Sequence, residues 1–552
     1  MSENLLMKKK TLKRIDLLLL VIVILLITVL VYRISNKEKL SDAYLASDTS
    51  NVLVYDEDDK EVSLVRGQLV SLSDKTKEMN GNEYHKVYLG DNVYYVYKDN
   101  LVLDRESSVL EKSLYVYRTC SVYQDKEGSK LAGLIERGEK INVIGHSPLK
   151  DDGSVDRYQF DGGYILNKYL TNDKELLNIS NPFSNDTSNP YGAGSASELD
   201  YIGNEKVQIE GNVMPDVCKS LYINKEAMED IEDYIELAKR TAVNTFVIDI
   251  RDAHIVSYKS DIMKERSISS YDAATFTMED FKAKLDKVKD ADIYMVGRIT
   301  VFKDKNFMID HPEFAIADLN DDGKPFMYGG SYWPSPFVRE VWEYNVELAK
   351  EAVTKLGFNE IEFDYVRFPE QIDYYADKLN ALDLQNKYNE TRSQAIQRFL
   401  MYAVDELHSV GAYVSADVFG ETSNNYVTAY GQYWPAISSV VDVISPMPYP
   451  DHFNTHAYNI EEVVWEVPYK LMLAWGKEAK DMQDITLNKA RVRTFIQGYN
   501  SINKPFVVYD NEKLLDQING LSDAGILDNG YIVWNAGSYI DNYYLYEDAL
   551  SR

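Results

Sequence analysis

Residues 359–369 read Asn-Glu-Ile-Glu-Phe-Asp-Tyr-Val-Arg-Phe-Pro, and this stretch decides the fold. It follows a helical segment that ends at Gly357, and glycine is a frequent stop at a helix C-terminus. The stretch is aromatic and β-branched, which predicts a strand, and the alternation of side chains along a strand places Glu362 and Asp364 on one face. A strand that ends on an acid is typical of the catalytic rim of a β/α barrel.

Burial makes Asp364 the expected centre of an active site. Desolvating a lone carboxylate is costly unless the group is paired or used, so a buried strand seldom carries one without a reason. The alternative is a structural salt bridge from Asp364 to Arg367 or to another arginine at a strand end.

The rest of residues 205–548 alternates between strand-like and helix-like segments, which predicts an α/β domain with a parallel sheet or barrel. Helical spacing of apolar residues recurs near 227–241, 341–356 and 395–410. The eight predicted strands lie near 207–213, 245–250, 293–299, 360–365, 413–418, 441–445, 494–497 and 531–534, which suits a (β/α)8 TIM barrel with long loops. A doubly wound open sheet is the alternative. No glycine-rich phosphate loop follows the first strand, so nucleotide binding has no support.

Acids, arginines and aromatic residues follow several of these strands, where a barrel places its active site. The residues predicted to meet at this edge are Asp249, Asp252, Arg298, Glu362, Asp364, Arg367, Asp417, Glu421, Tyr449, His452 and Trp534. Five segments carry a family resemblance: 247–252 (Val-Ile-Asp-Ile-Arg-Asp), 297–304, 362–369, 417–420 and 445–450. In these segments the chain resembles the bacterial "putative glycosyl hydrolase" family of unknown substrate, an α-amylase-like TIM barrel. It departs from the family pattern at Arg251, where lysine is usual, and at Ala253-His254, where a glycine is expected.

The resemblance implies glycoside cleavage, which needs one protonated and one ionised carboxyl group. By analogy with the fourth-strand acid of related barrels, Asp364 is the expected nucleophile or charged stabiliser. Asp417, from the neighbouring strand, is the expected acid/base, and Glu362, Glu421 and Asp249 compete for that role. A separation of about 5 Å between the two carboxyl groups would give retention and about 6.5–9.5 Å inversion, and the sequence leaves both open.

The other rim residues are expected to bind substrate. Arg298 and Arg367 hold a carboxylate ionised, bind sugar hydroxyls or simply form ion pairs. Trp333, Tyr449 and Trp534 are candidate sugar platforms, with core packing as the alternative for each. No cofactor is expected, and seven histidines without a ligand-spaced cluster argue against a zinc site. Residues 318–323 resemble the start of a calcium loop but lack the glutamate at its twelfth position, so they are interpreted as a turn.

The N-terminal region predicts a membrane anchor. Residues 1–14 form a basic tail that is expected in the cytoplasm, and residues 15–34 are almost wholly Leu, Ile and Val, which approaches the length that crosses a bilayer. The alternative is a cleaved signal peptide, but charged residues follow the apolar segment in place of a small-residue cleavage site. The domains after residue 35 are therefore expected outside the cell membrane.

Residues 50–104 and 112–172 are rich in short β-like runs broken by turn residues. In the second segment, Tyr117-Arg118, Arg137-Gly138 and the closing Gly163-Tyr164-Ile165 resemble the bacterial SH3-like domain, and the first segment repeats this scheme more loosely. The resemblance implies either binding of cell-wall peptidoglycan or a spacer role. Residues 173–204 are rich in Asn, Ser, Pro and Gly and predict a flexible linker.

The formal charge of −29 argues against nucleic acid as a partner. These features together predict a membrane-anchored, extracellular glycoside hydrolase that acts on a cell-wall or extracellular polysaccharide. The alternatives are a non-catalytic glycan-binding barrel and a structural scaffold that interacts with the wall. Metal-dependent deacetylation of a glycan is a further alternative, which the histidine count disfavours.

Overall fold

The computed structural model describes residues 2–35, 37–110, 112–203 and 205–552. Helix α1, Ser2–Ser35, opens the chain. Its segment Arg14–Arg33 is long and apolar enough to cross a membrane, a test that a signal sequence also passes, and none of that segment is buried within the protein. Of the predicted basic tail at 1–14, Met1 and the side chains of residues 2–6 and 8–13 lie outside the described part.

The chain divides into two compact units, which do not follow the predicted boundaries. The first comprises residues 1–114, 125–128 and 140–172, and the second comprises residues 115–124, 129–139 and 173–552. The predicted module at 112–172 is therefore shared between the two units.

The first unit contains an antiparallel sheet of seven strands. Its strand Leu40–Leu45 pairs with the strand Leu69–Met79 and buries Ala43 and Leu45, so the sheet begins before residue 50, where the sequence predicted its start. The buried pattern alternates along the strands, as a half-buried sheet requires. The other strands of this sheet are Asn51–Tyr55, Glu61–Val65, Asn82–Leu89, Asn92–Tyr97 and Leu101–Val102.

Shorter strands follow between residues 113 and 171. The strands that lie wholly in the first unit are Lys140–Asn142, Gly145–His146, Arg157–Phe160, Gly163–Leu166 and Leu170–Thr171, and Ser113–Val116 spans the boundary between the units. Cys120–Tyr123 and Leu131–Ile135 form an antiparallel pair in the second unit.

That antiparallel pair belongs with the barrel because two helices of the second unit accept its hydrogen bonds. The Tyr123 hydroxyl donates to Glu406 Oε1 at 2.9 Å, and the Leu131 amide donates to Glu343 Oε1 at 2.9 Å. Both acceptors are long-range partners, which explains why the sequence did not reveal this assignment.

The second unit is built on a nearly closed parallel barrel of nine strand segments. These are β1 Cys218–Ile223, β2 Thr245–Asp252, β3 Tyr294–Thr300, β4 Glu360–Asp364, β5 Tyr413–Phe419, β6 Val443–Met447, β7 Arg491–Val492, β8 Thr494–Gln497 and β9 Gly530–Trp534. Each pairs in parallel with its neighbour in the order β7-β6-β5-β4-β3-β2-β1-β9-β8. Only Arg493 separates β7 from β8, and its amide donates to the Ile444 carbonyl at 3.0 Å.

The pairing of β1 with β9 shows a barrel and excludes the open doubly wound sheet. One predicted strand is wrong. Residues 207–213 form only an isolated bridge between Ile209 and Asn212, and the first barrel strand is Cys218–Ile223. The segment 207–213 is instead held against the barrel, where the Ile209 amide donates to the Tyr413 hydroxyl oxygen at 3.1 Å.

Helices surround the barrel, and glycine ends the one that precedes β4. The long helices are α2 Ile231–Arg240, α3 Met278–Asp290, α4 Arg339–Glu351, α5 Arg392–His408, α6 Pro468–Asp484 and α7 Asn511–Ala524. A π-type turn, Ala352–Leu356, extends α4 to Gly357, whose φ of 85° is left-handed. Shorter helices are Asp261–Arg266, Ile268–Ala273, Lys305–Asp310, Trp434–Ser438, Ile540–Leu545 and Glu547–Leu550.

Residues 191–201 of the predicted flexible linker pack against α5, contrary to the prediction. Leu199 and Tyr201 are buried. Gln397 accepts from the Asp200 amide at 3.0 Å, and Arg392 donates to the Tyr191 carbonyl at 2.6 Å. Side chains of α5 thus satisfy backbone groups that a linker of this composition would leave to water.

Candidate functional site

The carboxyl-terminal ends of the barrel strands form an edge that we call the rim. Asp364, the last residue of β4, lies there with 8% of its side chain exposed, in a strand whose five residues are all buried. The next residue, Tyr365, has a left-handed φ of 50°, and its amide donates to Asp364 Oδ1. The backbone therefore turns sharply at the predicted site, as strained turns at functional positions often do.

Arg298 on β3 joins the acids of two neighbouring strands. Its Nη1 donates to Asp249 Oδ1 at 2.7 Å, and its Nε and Nη2 both donate to Asp364 Oδ2. The same Nη2 lies 3.8 Å from Asp252 Oδ1. Parallel pairing sets this arrangement, since Arg298 is the register partner of Asp249 on β2 and of Glu362 on β4.

Two aromatic rings enclose the guanidinium of Arg298. Its centre lies 5.2 Å from the Trp534 ring and 5.5 Å from the Tyr222 ring. Burial disfavours the charge, but the three carboxylates raise the pKa of Arg298 well above its ordinary value. The cation is thus fixed as one positive charge among three acids.

Asp249 is buried and receives a hydrogen bond from the Tyr222 hydroxyl. Burial raises the pKa of Asp249 to about 6, although the charge of Arg298 opposes this change. Asp249 is therefore ready to take up a proton in mildly acidic solution.

Glu362 and Asp417 form a second, fully buried carboxyl pair below the rim. Ser445 donates to Glu362 Oε1 at 3.1 Å, and burial, with repulsion from Glu360, raises the pKa of Glu362 to about 7. Burial, then the charges of Glu362 and Asp364, raise the pKa of Asp417 well above its ordinary value. No hydrogen-bond donor among the described residues reaches Asp417, so Asp417 acts as the donor to Glu362 when it holds a proton.

The acids of the site therefore lie in two different environments. Asp364 accepts hydrogen bonds from an arginine and a backbone amide. Burial and the neighbouring carboxylates favour the protonated form of Asp417, below the rim. Environments that separate two acids in this way are the pattern of acid/base catalysis.

Two predicted acids at the rim are accessible to solvent. The side chain of Asp252 is 34% exposed. Glu421 is exposed, and its carboxylate accepts from the hydroxyls of Tyr426 and Tyr430, each at 2.7 Å. Among the residues that the structure describes, no group of three or more His, Cys, Asp and Glu is placed to hold a metal ion.

For three residues the structure favours the alternative that the sequence left open. Arg367 pairs with Glu370 at 2.8 Å, and no hydrogen bond or ion pair joins it to Asp364 in the described part of the chain. Trp333 and Tyr449 are only 1% and 5% exposed, so core packing, not contact with sugar, accounts for both rings. Arg367 instead lies above the Phe419 ring, 4.3 Å from its centre.

The remaining predicted aromatic and histidine residues stay at the surface of the site. Trp534 is half-buried and packs on Tyr222 with ring centres 4.1 Å apart, and His452 is exposed. The sequence did not identify Tyr222 as a site residue, because it placed the first strand too early in the chain. The apolar residues Leu221, Tyr222 and Ile223 were the available signal.

A cleft of about 790 Å³ opens beside these groups, between the ends of β5, β6 and β8. Phe419, Glu421, His452 and Tyr458 are among its lining residues. The His452 ring packs edge-on against the Tyr449 ring, with ring centres 5.2 Å apart. Burial raises the pKa of Tyr449, and the nearby charges of Tyr499, Asp417 and Asp364 raise it further. The cleft therefore adjoins the carboxyl groups of the site, and its size suits a small ligand or a few sugar rings.

Comparisons with known proteins identify the barrel region. Residues 220–539 match the family model described as "putative glycosyl hydrolase domain". A hypothetical protein from Ruminiclostridium thermocellum is 30% identical over 36% of this chain and 97% of its own, with a TM-score of 0.29. No curated protein matches the chain.

Two solved glycosidases are similar at low identity. An α-galactosidase from Thermus thermophilus is 10% identical over 88% of this chain and 93% of its own, with a TM-score of 0.36. A maltogenic α-amylase from Thermotoga neapolitana is 12% identical over 51% of this chain and 59% of its own, with a TM-score of 0.32. These TM-scores are too low to assign the chain to a family. The match to the family model, which spans more than half of the chain, makes that assignment.

Proposed function

Because the chain belongs to the family described as "putative glycosyl hydrolase domain", we propose that it hydrolyses glycosidic bonds at the rim of the barrel. One observation carries the proposal: Arg298 donates two hydrogen bonds to Asp364, and burial, with the charges of Glu362 and Asp364, raises the pKa of Asp417 on the neighbouring strand. Cleavage of a glycoside requires one ionised and one protonated carboxyl group.

In the proposed reaction, Asp364 supplies the negative charge. Its Oδ2 is held by Arg298, so the carboxylate either attacks the anomeric carbon or stabilises the positive charge that develops there. Asp417 gives its proton to the leaving oxygen and recovers one from the attacking water. This step requires the Asp417 side chain to turn away from Glu362, because none of its surface is exposed. Glu421, exposed at the same rim, is the alternative donor.

The proposed location is the outer face of a cell membrane, and the proposed substrate is a cell-wall or extracellular polysaccharide. Helix α1 supports an uncleaved anchor, since charged residues follow its apolar segment. In this proposal the antiparallel β-strands between α1 and the barrel are SH3-like modules that bind peptidoglycan or extend the reach of the barrel.

A non-catalytic glycan-binding barrel is the second candidate. The complete burial of Asp417 favours it, since a carboxyl group that never reaches the rim cannot protonate a substrate. Such a protein would retain the cleft and the Arg298 cluster and bind a glycan without cleaving it.

Replacing two acids separates the candidates. The full-length protein in detergent is incubated with wall and capsular glycans, and new reducing ends are measured for the wild type, Asp364→Asn and Asp417→Asn. The hydrolase proposal predicts turnover by the wild type only, with glycan binding retained in both variants. Binding without new reducing ends in the wild type would establish the non-catalytic alternative.

A further inference from the structure

The guanidinium of Arg298 is held from two sides, and each of its three nitrogen atoms donates a hydrogen bond. Nε and Nη2 donate to Asp364 Oδ2, and Nη1 donates to Asp249 Oδ1 at 2.7 Å. Asp252 lies farther away, with its Oδ1 3.8 Å from Nη2, which exceeds hydrogen-bond distance. The direction of the N–H groups that reach Asp364 therefore depends on the position of Asp249.

Tyr222 fixes the carboxylate of Asp249 in turn. The Tyr222 hydroxyl donates to Asp249 Oδ2, so each oxygen of this carboxylate accepts from a different donor. Tyr222 lies on β1, Asp249 on β2 and Arg298 on β3, which are neighbouring strands of the barrel. Tyr222 and Asp249 are each only 2% exposed. Water therefore does not readily replace a donor that the carboxylate loses.

Tyr222 is itself held at its ring and at its backbone. Its ring packs on the Trp534 ring, with ring centres 4.1 Å apart. Its carbonyl oxygen accepts from the Ser538 hydroxyl at 3.1 Å and from the Tyr543 hydroxyl at 2.7 Å. A hydroxyl whose ring and backbone are both fixed by packing and hydrogen bonds can orient the carboxylate that it contacts.

We propose that Tyr222 is a positioning residue of the site: through Asp249 it holds the guanidinium of Arg298 in the orientation that directs two N–H groups at Asp364. The inference deepens the proposed hydrolase function and rests on it. A misplaced Asp364 slows the reaction more than it weakens substrate binding, because the reacting atoms must be aligned.

The protonation of Asp249 makes this arrangement depend on pH. Burial raises the pKa of Asp249 to about 6 against the charge of Arg298, the charge of Asp252 adds to the rise, and the hydrogen bond from Tyr222 opposes it. A protonated Asp249 no longer attracts the cation by its charge, which frees the guanidinium to turn about its contact with Asp364. Turnover is therefore expected to fall as the pH decreases through about 6.

A second group of the same three residue types, at the opposite end of the strands, offers a matched control. There the Tyr294 hydroxyl donates to Glu360 Oε2 at 3.1 Å, and Arg493 donates to the same carboxylate at 2.9 and 3.3 Å. Tyr294 and Glu360 are both buried. This group has no part in the proposed reaction, so removal of the Tyr294 hydroxyl measures the structural cost of losing a buried donor.

Tyr222→Phe and Tyr294→Phe each remove one hydroxyl and keep the ring. The rate at which the full-length protein in detergent releases new reducing ends is measured over a range of pH. We expect Tyr222→Phe to lower kcat by about tenfold, to leave KM within about twofold and to move the acidic fall of the rate to higher pH by about half a pH unit or more. Tyr294→Phe should lose stability to a similar degree in denaturant and keep the wild-type kcat and pH profile. Wild-type kinetics in Tyr222→Phe, or equal losses of kcat in both variants, would overturn the proposal.

Asp249→Asn tests whether Tyr222 acts through Asp249. Asparagine does not titrate, so the fall of the rate near pH 6 should disappear, and adding Tyr222→Phe to this variant should change kcat by less than about twofold. Glu279→Gln, an exposed change on α3, should keep the wild-type pH profile. Independent, multiplicative losses from the two changes would overturn the proposal. If Tyr222→Phe does not fold, an acidic fall near pH 6 that persists in Asp249→Asn would overturn it as well.

Failure of this inference is distinguishable from failure of the hydrolase proposal. Turnover by the wild type without a kinetic effect of Tyr222→Phe would overturn the positioning role and leave the hydrolase standing. The absence of new reducing ends from any glycan with the wild type would overturn the hydrolase, and the positioning role with it.

Discussion

The two ends of strand β4 each carry a buried acid that contacts an arginine, and they differ in charge balance. At the start of the strand, Glu360 accepts two hydrogen bonds from Arg493, at 2.9 and 3.3 Å, and one from the Tyr294 hydroxyl at 3.1 Å. At the other end, Arg298 forms ion pairs with Asp364, Asp249 and Asp252.

The first end is a one-to-one pair, in which Arg493 neutralises the charge of Glu360, and the second has more acid than cation. Where one arginine lies among three carboxylates, burial raises the pKa of Asp249 to about 6, the charge of Asp252 adds to this effect and the charge of Arg298 opposes it. The comparison teaches that the excess of carboxyl groups, not burial of an acid as such, distinguishes the candidate site.

The largest expected effect is on turnover at the end of β4 that carries Asp364, where acids outnumber the arginine. Asp364→Asn removes the negative charge but keeps the shape, so hydrolysis should fall by about a thousandfold or more while the fold survives. The rate at which new reducing ends appear measures the loss of hydrolysis, and Asp322→Asn, in an exposed turn, serves as the control. Near-normal turnover in Asp364→Asn would place the reaction elsewhere.

The next largest effect is on stability at the start of β4, where Glu360 pairs with Arg493. Glu360→Gln leaves Arg493 buried without its counter-charge, so the free energy of unfolding should fall by about 3–5 kcal/mol. Denaturant unfolding measures this loss. Asp286→Asn, which breaks the exposed pair between Lys282 and Asp286, should cost less than about 1 kcal/mol. Equal losses in the two variants would contradict the interpretation of Glu360.

Arg298→Lys tests whether the several N–H donors of the guanidinium matter as well as its charge. Lysine keeps the charge but cannot bridge Asp249 and Asp364 with directed N–H groups, so turnover should fall by roughly a hundredfold. The matched change Arg266→Lys affects a partly exposed arginine away from the rim and should leave turnover unchanged. Identical rates for both variants would show that charge alone suffices.

The smallest effect concerns the proton on Glu362. The folded protein keeps this proton up to a pKa of about 7, whereas an unperturbed glutamate releases it near 4.5. The stabilisation is therefore full below about pH 4.5 and is lost as the pH rises to about 7, so the free energy of unfolding falls across this window.

Glu362→Gln should flatten that part of the pH profile, because the amide does not titrate and still accepts from Ser445. Denaturant unfolding at several pH values measures the change, with Glu279→Gln as the control. A slope equal to that of the wild type would assign the pH dependence to another group.

Part of the candidate site could be predicted because its chemistry is local. The glycine stop at 357, the short strand and its terminal acid together indicated Asp364, and periodicity indicated most strands of the barrel. Sequence reasoning left the role of Arg367 open, since which carboxylate an arginine reaches depends on the fold and not on spacing. It left Trp333 open as well, because an indole near a strand end looks the same whether it faces a sugar or the core.

By itself the sequence determined the apolar N-terminal helix, the alternation of strands and helices, and an acid at the end of β4. These follow from composition and periodicity, which act over a few residues. Only the tertiary structure decided that Arg298 joins Asp249 to Asp364, that Asp417 meets Glu362, and that residues 191–201 pack on a helix. Those contacts join residues far apart in the chain, and burial, which sets their protonation, exists only once the barrel has formed.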